Sequence, residues 1–244
     1  MIAGIVSRID KHLIRFGWKK WIFSRTACLG NEIFENSGFV YRWNIQKGRI
    51  DLLNELLEEG GESSELDSKI FSQVAMSRLV QQERDLIWLR FPPPQFVVVD
   101  SFSDLTDVKF VLEDSSKIYC HYSDLANSYR AIQSDGLLDL ELYENTLVRF
   151  MLNVQSKWGP IKVFYLHYPT HKEQRVDYLL RAEKIAIATK SVAKKFNSFI
   201  NLELDVQLAM RLDNADDLFP YHYSEELKAH FWEEINTRIR FMRN

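Results

Sequence analysis

The alternation of short β-branched runs with longer amphipathic stretches predicts an α/β fold, a three-layer α/β/α sandwich around a mostly parallel sheet. Three observations carry that expectation. Phe96-Val97-Val98-Val99 and Val163-Phe164-Tyr165-Leu166 are continuous apolar runs, as strands covered on both faces require. Segments of helical periodicity lie between the strand candidates, long enough for the crossovers that parallel neighbours need. The 244 residues are 46% apolar and 27% charged, enough to build one substantial core.

Residues 1–18 are expected to form an N-terminal amphipathic helix, because Ile2, Ile5, Val6, Ile9, Leu13 and Phe16 recur on one face while Arg8, Lys11, His12 and Arg15 lie largely off it. Lys19 and Lys20 continue the basic side. Packing against the sheet is the simpler role, and peripheral contact with a membrane surface or another protein is the alternative. Residues 19–244 are expected as one domain. Its first strand, Ile22-Phe23-Ser24-Arg25, breaks into Thr26-Ala27-Cys28 and then opens a helix-like segment.

Helices are predicted over 49–59 and 68–90, separated by the small polar loop Glu59-Gly60-Gly61-Glu62-Ser63-Ser64. Pro92-Pro93-Pro94 stops the second helix and leads into the strand that ends at Asp100. The segment 105–138 carries no clear period, and Lys117-Ile118-Tyr119-Cys120-His121-Tyr122 within it reads as a short strand or an insertion. A helix over 139–156, a strand over 161–167, a helix over about 173–197 and a strand over 199–204 follow. The last helix, 224–241, places Leu227, Phe231, Ile235 and Ile239 at helical spacing.

A net charge of −3 gives no concentrated positive field, which argues against a nucleic-acid partner. Cys28 and Cys120 cannot build a disulfide framework, so a reducing, cytoplasmic setting is expected. No apolar run approaches the roughly 20 residues of a membrane span, and the first residues lack a secretory signal pattern.

Ligands of open parallel sheets bind beyond the carboxyl ends of the strands. Here those ends are Thr26-Ala27-Cys28, Asp100 to Asp104, His167-Tyr168-Pro169-Thr170-His171 and the loop from Asp205 to His222. Acyl transfer needs a nucleophile, a base within reach and donors for an oxyanion, and every part but a serine in the first turn is present. Plainer roles stand beside these. Cys28 suits a small buried site, His222 precedes a helix that Ser224, Glu225 and Glu226 can cap, and Asp100 is placed to cap the next turn. His167 and His171 are candidates for contact with a sugar hydroxyl; no third ligand at diagnostic spacing makes them a metal site. Trp18, Trp21, Tyr41 and Trp43 are candidates for a sugar platform, with the core as their expected place.

The stretch Thr26-Ala27-Cys28-Leu29-Gly30-Asn31-Glu32-Ile33-Phe34 resembles the strand-to-helix turn of the SGNH/GDSL hydrolase superfamily, in the divergent branch of bacterial capsule and surface-polysaccharide loci. Ser77-Arg78-Leu79-Val80-Gln81-Gln82-Glu83-Arg84-Asp85, Val97-Val98-Val99-Asp100 and Pro220-Tyr221-His222-Tyr223 are similar to later motifs of that branch, in the same order. The likeness spans most of 20–241.

The resemblance implies an SGNH-like fold and acetyl transfer to, or removal from, a saccharide hydroxyl, with acetyl-CoA as the donor of a transferase. It places the nucleophile at Ala27, the base at His222 and the acidic partner at Asp217 or Asp216. Backbone N–H groups of Cys28 and Gly30 would form the oxyanion site, and Asp100, Asp104, His167, His171 and Asn31 would contact substrate.

The chain departs from the pattern at Thr26, where glycine is usual, at Ala27, where serine is, and in the longer spacing from Asp217 to His222. A methyl group cannot attack a carbonyl. Ala27 therefore reads as an engineered substitution, as a natural inactive form, or as a sign that Cys28 is the nucleophile. A non-catalytic carbohydrate-binding scaffold and a nucleotide-sugar glycosyltransferase are the other function classes.

Overall fold

The computed structural model describes residues 8–17, 19–27, 33, 41–60, 67–74, 76, 80, 85–129, 133–168, 170, 171, 173–203 and 224–240. Five strands form a parallel sheet: β1 (Ile22–Arg25), β2 (Arg42–Ile45), β3 (Phe96–Asp100), β7 (Lys162–Leu166) and β8 (Phe199–Leu202). Their spatial order is β2-β1-β3-β7-β8, and every neighbouring pair is parallel. The chain steps from β1 outward to β2, returns to the other side of β1 for β3, and continues outward from there.

Side chains alternate across the sheet, and each face has its own core. Phe23, Val97, Val99, Val163, Tyr165 and Phe199 pack with residues of α2 (Ile50–Glu59), α4 (Tyr143–Trp158) and α5 (Val176–Lys195). Ile22, Phe96, Val98, Phe164, Leu166 and Leu202 pack on the opposite face against Leu227, Phe231, Ile235 and Ile239 of α6 (Glu225–Arg240). The predicted α/β fold is thus the observed one, with helices on both faces of a parallel sheet.

The N-terminal helix is described as α1 (Arg8–Arg15). Its Ile14 is buried in the α2/α4 core, and Lys11 pairs with Asp85 at 3.0 Å while lying 4.9 Å from the Trp43 ring centre. Trp21, Tyr41 and Trp43 are all core residues rather than an exposed platform. Among the described residues no helix is long and apolar enough to cross a membrane.

Three features differ from expectation. β2 was not predicted, because Arg42-Trp43-Asn44-Ile45 is short and half polar. The expected helix over 68–90 is not one helix: Val74, Met76 and Val80 are helical, but Ser68–Ile70 and Leu86–Arg90 are 3₁₀ turns, Phe71 bridges to Leu125, and Asp85 is non-helical. The segment 105–138 holds a second sheet. After the short helix α3 (Phe102–Thr106), β4 (Val108–Val111) pairs antiparallel with both β5 (Lys117–Cys120) and β6 (Ser134–Leu137).

Ile70, Phe71, Val80, Phe110, Ile118, Cys120 and Leu125 give this second sheet its own apolar cluster. Lys47, just beyond β2, connects it to the main sheet by reaching Asp124 at 2.9 Å and Asp107 at 3.7 Å. Burial alone would lower the Lys47 ammonium, but the two carboxylates overcome it and hold the group above its ordinary range.

Candidate functional site

In a sheet of this order the chain turns in opposite directions from β1 and β3, and it is beyond the carboxyl ends at such a switch point that open parallel sheets generally carry a ligand crevice. The backbone at the mouth of β1 is fixed from both sides. Asn44 of β2 accepts the Thr26 N–H at 3.2 Å and the Ser24 hydroxyl at 2.8 Å, and its amide donates to the Thr26 carbonyl at 3.0 Å. One residue on, the Ala27 N–H donates to Asp100 Oδ2 at 2.8 Å. The other oxygen of Asp100 accepts the Phe102 N–H at 3.1 Å, so a single carboxyl ties the turn after β1 to the start of α3.

Asp100 is 1% exposed. Burial raises its carboxyl to about 6 despite the opposing field of Arg25 and the two N–H donors. The folded carboxyl therefore holds its proton more tightly than the unfolded one. Stability from this group is present below about pH 4, falls as pH rises towards 6, and is lost above it, a change of roughly 3 kcal/mol at most. We predict that Asp100→Asn lacks this decline, so that the difference in unfolding free energy between variant and parent moves in the variant's favour from pH 4 to pH 7. Chemical denaturation across that range checks it.

Beneath the crevice lies a buried polar knot on the α2/α4 side of the sheet. Arg25, the last residue of β1, pairs with Asp104 at 2.8 Å, and both side chains are 0% exposed. Tyr143 of α4 donates to Asp104 Oδ2 at 2.7 Å and stands 2.6 Å from the Tyr165 hydroxyl, while the Ile50 N–H at the start of α2 donates to Asp104 Oδ1 at 2.8 Å. Burial pushes both phenols well above their ordinary range, which keeps them protonated donors. Arg25 Nε and Nη1 have no hydrogen-bond partner among the described residues.

Asp104, expected to contact substrate, is thus enclosed, with both carboxylate oxygens committed inside the protein. Asp100 sits at the crevice but spends its oxygens on backbone N–H groups. The two acids face opposite sides of β3 and α3, which separates a turn clamp from a core anchor.

His167 follows β7 at the same edge of the sheet. Its Nε2 lies 2.6 Å from Asn201 Oδ1, and the Asn201 amide donates to Glu203 at 3.1 Å. That orientation makes the imidazole Nε2 the hydrogen donor. Burial lowers the imidazole below its ordinary range, against the pull of Asn201 and Glu203, and so favours its neutral form. A cleft of about 270 Å³ opens beside it, walled by His167, Tyr168, Thr170 and residues of α5. His171 is half-buried a few residues on and does not line this cleft.

Ala27 is therefore the one expected catalytic position whose surroundings are defined, and it follows β1 at the carboxyl edge of the sheet, 9% exposed. Cys28, Gly30, Asn31, Asp216, Asp217 and His222 lie outside the described residues. Among the described residues no group of His, Cys, Asp or Glu side chains could hold a metal ion.

Sequence reading missed Arg25, Asn44, Tyr143 and Asn201. Arg25 had a legible signal, since an arginine inside an apolar strand buried on both faces demands an acidic partner. No family model, curated protein or solved structure matches this chain.

Proposed function

We propose that the protein transfers or removes an acyl group, acetyl foremost, on a saccharide hydroxyl at the crevice between β1 and β3. The observation that carries this reading is the clamped backbone at Thr26 and Ala27, held by Asn44 and Asp100 where the sheet changes direction. A fixed backbone at the end of the strand is what an attacking group needs, because catalysis by positioning fails when the nucleophile wanders. The resemblance of Thr26 to Phe34 to the SGNH turn points the same way.

With alanine at position 27, the attacking group is the neighbouring Cys28 thiolate. It adds to the acyl carbonyl carbon, and His222 takes the thiol proton with Asp217 or Asp216 orienting the imidazole. The bond from the carbonyl carbon to the leaving oxygen or sulfur then breaks, and the leaving group takes that proton back. A sugar hydroxyl or water completes turnover by attacking the thioester. Acetyl-CoA is the donor in the transferase direction.

The test compares the chain with Cys28→Ala and Ala27→Ser, using acetyl-CoA and a chromogenic acetyl ester. Cys28→Ala is expected to lose at least about a hundredfold in rate, and Ala27→Ser to retain or raise it. A Cys28→Ala variant as active as the parent, with no gain from Ala27→Ser, overturns the reading.

One observation favours a second reading, saccharide binding without chemistry. Position 27, where the resemblance expects the nucleophile, carries a buried methyl group that cannot attack a carbonyl. Saccharide binding with no turnover in any of the three proteins would select it.

A further inference from the structure

The parallel sheet has a second edge, where its strands begin, on the side away from Ala27 and Asp100. Lys20 stands two residues before β1, and Arg15 closes α1, which rests on this end through Lys11, paired with Asp85 and lying over Trp43. Arg90 ends the 3₁₀ turn Leu86–Arg90, and the Pro92 carbonyl just beyond it accepts the Trp21 indole N–H at 2.8 Å. Lys157 lies in the last turn of α4, beside Trp158, whose ring is 6.1 Å from that of Trp21. Trp21 immediately precedes β1, so separate segments of the chain bring their cations to one end of the sheet.

The side chains of Arg15, Lys20, Arg90 and Lys157 are all exposed, and none pairs with an acid among the described residues. Of the acids towards this end, Asp85 is held by Lys11, and Glu58, in the last turn of α2, by Arg149. Exposed Glu59 beside it is left to oppose them. The chain as a whole carries −3, so this edge is positive against an acidic background.

A large apolar side chain stands among these cations. Phe16, next to Arg15, is 58% exposed, while Ile14 is committed to the core and keeps α1 docked on the protein. A single surface lysine, or one that closes a helix as Lys157 does, needs no partner to explain it. Cations converging from separate segments around an exposed aromatic ring are a different case. An anionic bilayer satisfies both, because its phosphates take the cations and the ring enters the boundary of the acyl chains. A nucleic acid would use the same charges, but it offers Phe16 only the faces of unpaired bases.

We propose that the edge of the sheet bearing Arg15, Phe16, Lys20, Arg90 and Lys157 is a docking surface for an anionic phospholipid membrane. The inference is independent of the acyl chemistry, and a chain docked this way turns the carboxyl edge of its sheet to solvent. It is tested by co-sedimentation of the full chain with vesicles of phosphatidylcholine alone and of equimolar phosphatidylcholine and phosphatidylglycerol, and by polyuridylate binding as the nucleic-acid arm.

Binding to the anionic vesicles is expected to be at least about tenfold tighter than to the neutral ones and to weaken with added salt. Arg90→Ala and Lys157→Ala should each cost about fivefold, and Phe16→Ser should weaken the binding that persists at high salt, all with the thermal midpoint unchanged. Lys69→Ala, which removes an exposed lysine beside the small sheet, should change nothing. Equal binding of both vesicles, binding of neither, or an equal loss from Lys69→Ala overturns the proposal. Polyuridylate binding that Arg90→Ala and Lys157→Ala weaken, without vesicle binding, assigns the edge to nucleic acid and overturns it as well. No turnover is read, so failure here leaves the acyl reading standing, and failure of every acyl assay leaves this inference standing.

Discussion

Asp104→Ala is expected to destabilise the protein by about 3–5 kcal/mol and to lower its melting temperature by about 10 °C or more. The reason is what the substitution leaves behind. Arg25 has Nη2 on Asp104, and its Nε and Nη1 are without partners among the described residues, so removing the carboxylate strands a full positive charge at 0% exposure. Tyr143 and the Ile50 N–H lose their acceptor at the same moment. Combining Arg25→Met with Asp104→Asn should recover a large part of the Asp104→Asn loss, because a neutral pair removes the buried charge while the asparagine still accepts from Ile50. A cost below about 1 kcal/mol for Asp104→Ala, measured by denaturant titration, would mean that the knot does not anchor β1 to α2 and α4.

The second large effect is expected at Lys47. Its ammonium lies between Asp107 and Asp124, side chains of 0% and 11% exposure, and Lys47→Met leaves those carboxylates facing each other without a cation. The expected loss is again about 3–5 kcal/mol. It should be local before it is global. Amide hydrogen exchange in β4, β5 and β6 is expected to accelerate more than exchange in β3 and β7, since Lys47 ties the small sheet to the loop after β2. Uniform acceleration across both sheets would show that the two unfold as one unit and that Lys47 is no separate tie.

What the sequence disclosed follows from which forces are local. β3 and β7 were legible because burial on both faces writes itself as an uninterrupted apolar run, and α4, α5 and α6 because their buried stripes repeat at helical spacing. β2 and the β4–β5–β6 sheet were not, because four-residue strands with polar members are stabilised by partners distant in the chain. The stretch 68–90 misled for a related reason. Its apolar residues supply the small sheet's cluster and the aromatic core around Trp88, so their spacing answers to two surfaces and not to one helix from 68 to 90, although Val74, Met76 and Val80 within it are helical.

The site divides the same way. That Asp100 and Asp104 sit at the carboxyl end of a buried strand was readable, but their opposite assignments depend on Ala27 and Arg25, brought from the far end of β1 by the sheet. The pairing of Lys190 with Glu203 at 3.2 Å and of His167 with Asn201 at 2.6 Å carries no local motif at all, because it depends on α5, β7 and β8 packing together.

The proposed attack of Cys28 on the acyl carbonyl is tested most directly by trapping the acyl-enzyme. The protein is mixed with the chromogenic acetyl ester, quenched in acid during turnover, digested and mapped by mass spectrometry. The predicted result is an acetyl thioester on the peptide carrying Cys28, absent from the peptide carrying the buried Cys120 and absent when His222→Ala is treated alike. An unmodified Cys28, whether or not the ester is consumed, would contradict it.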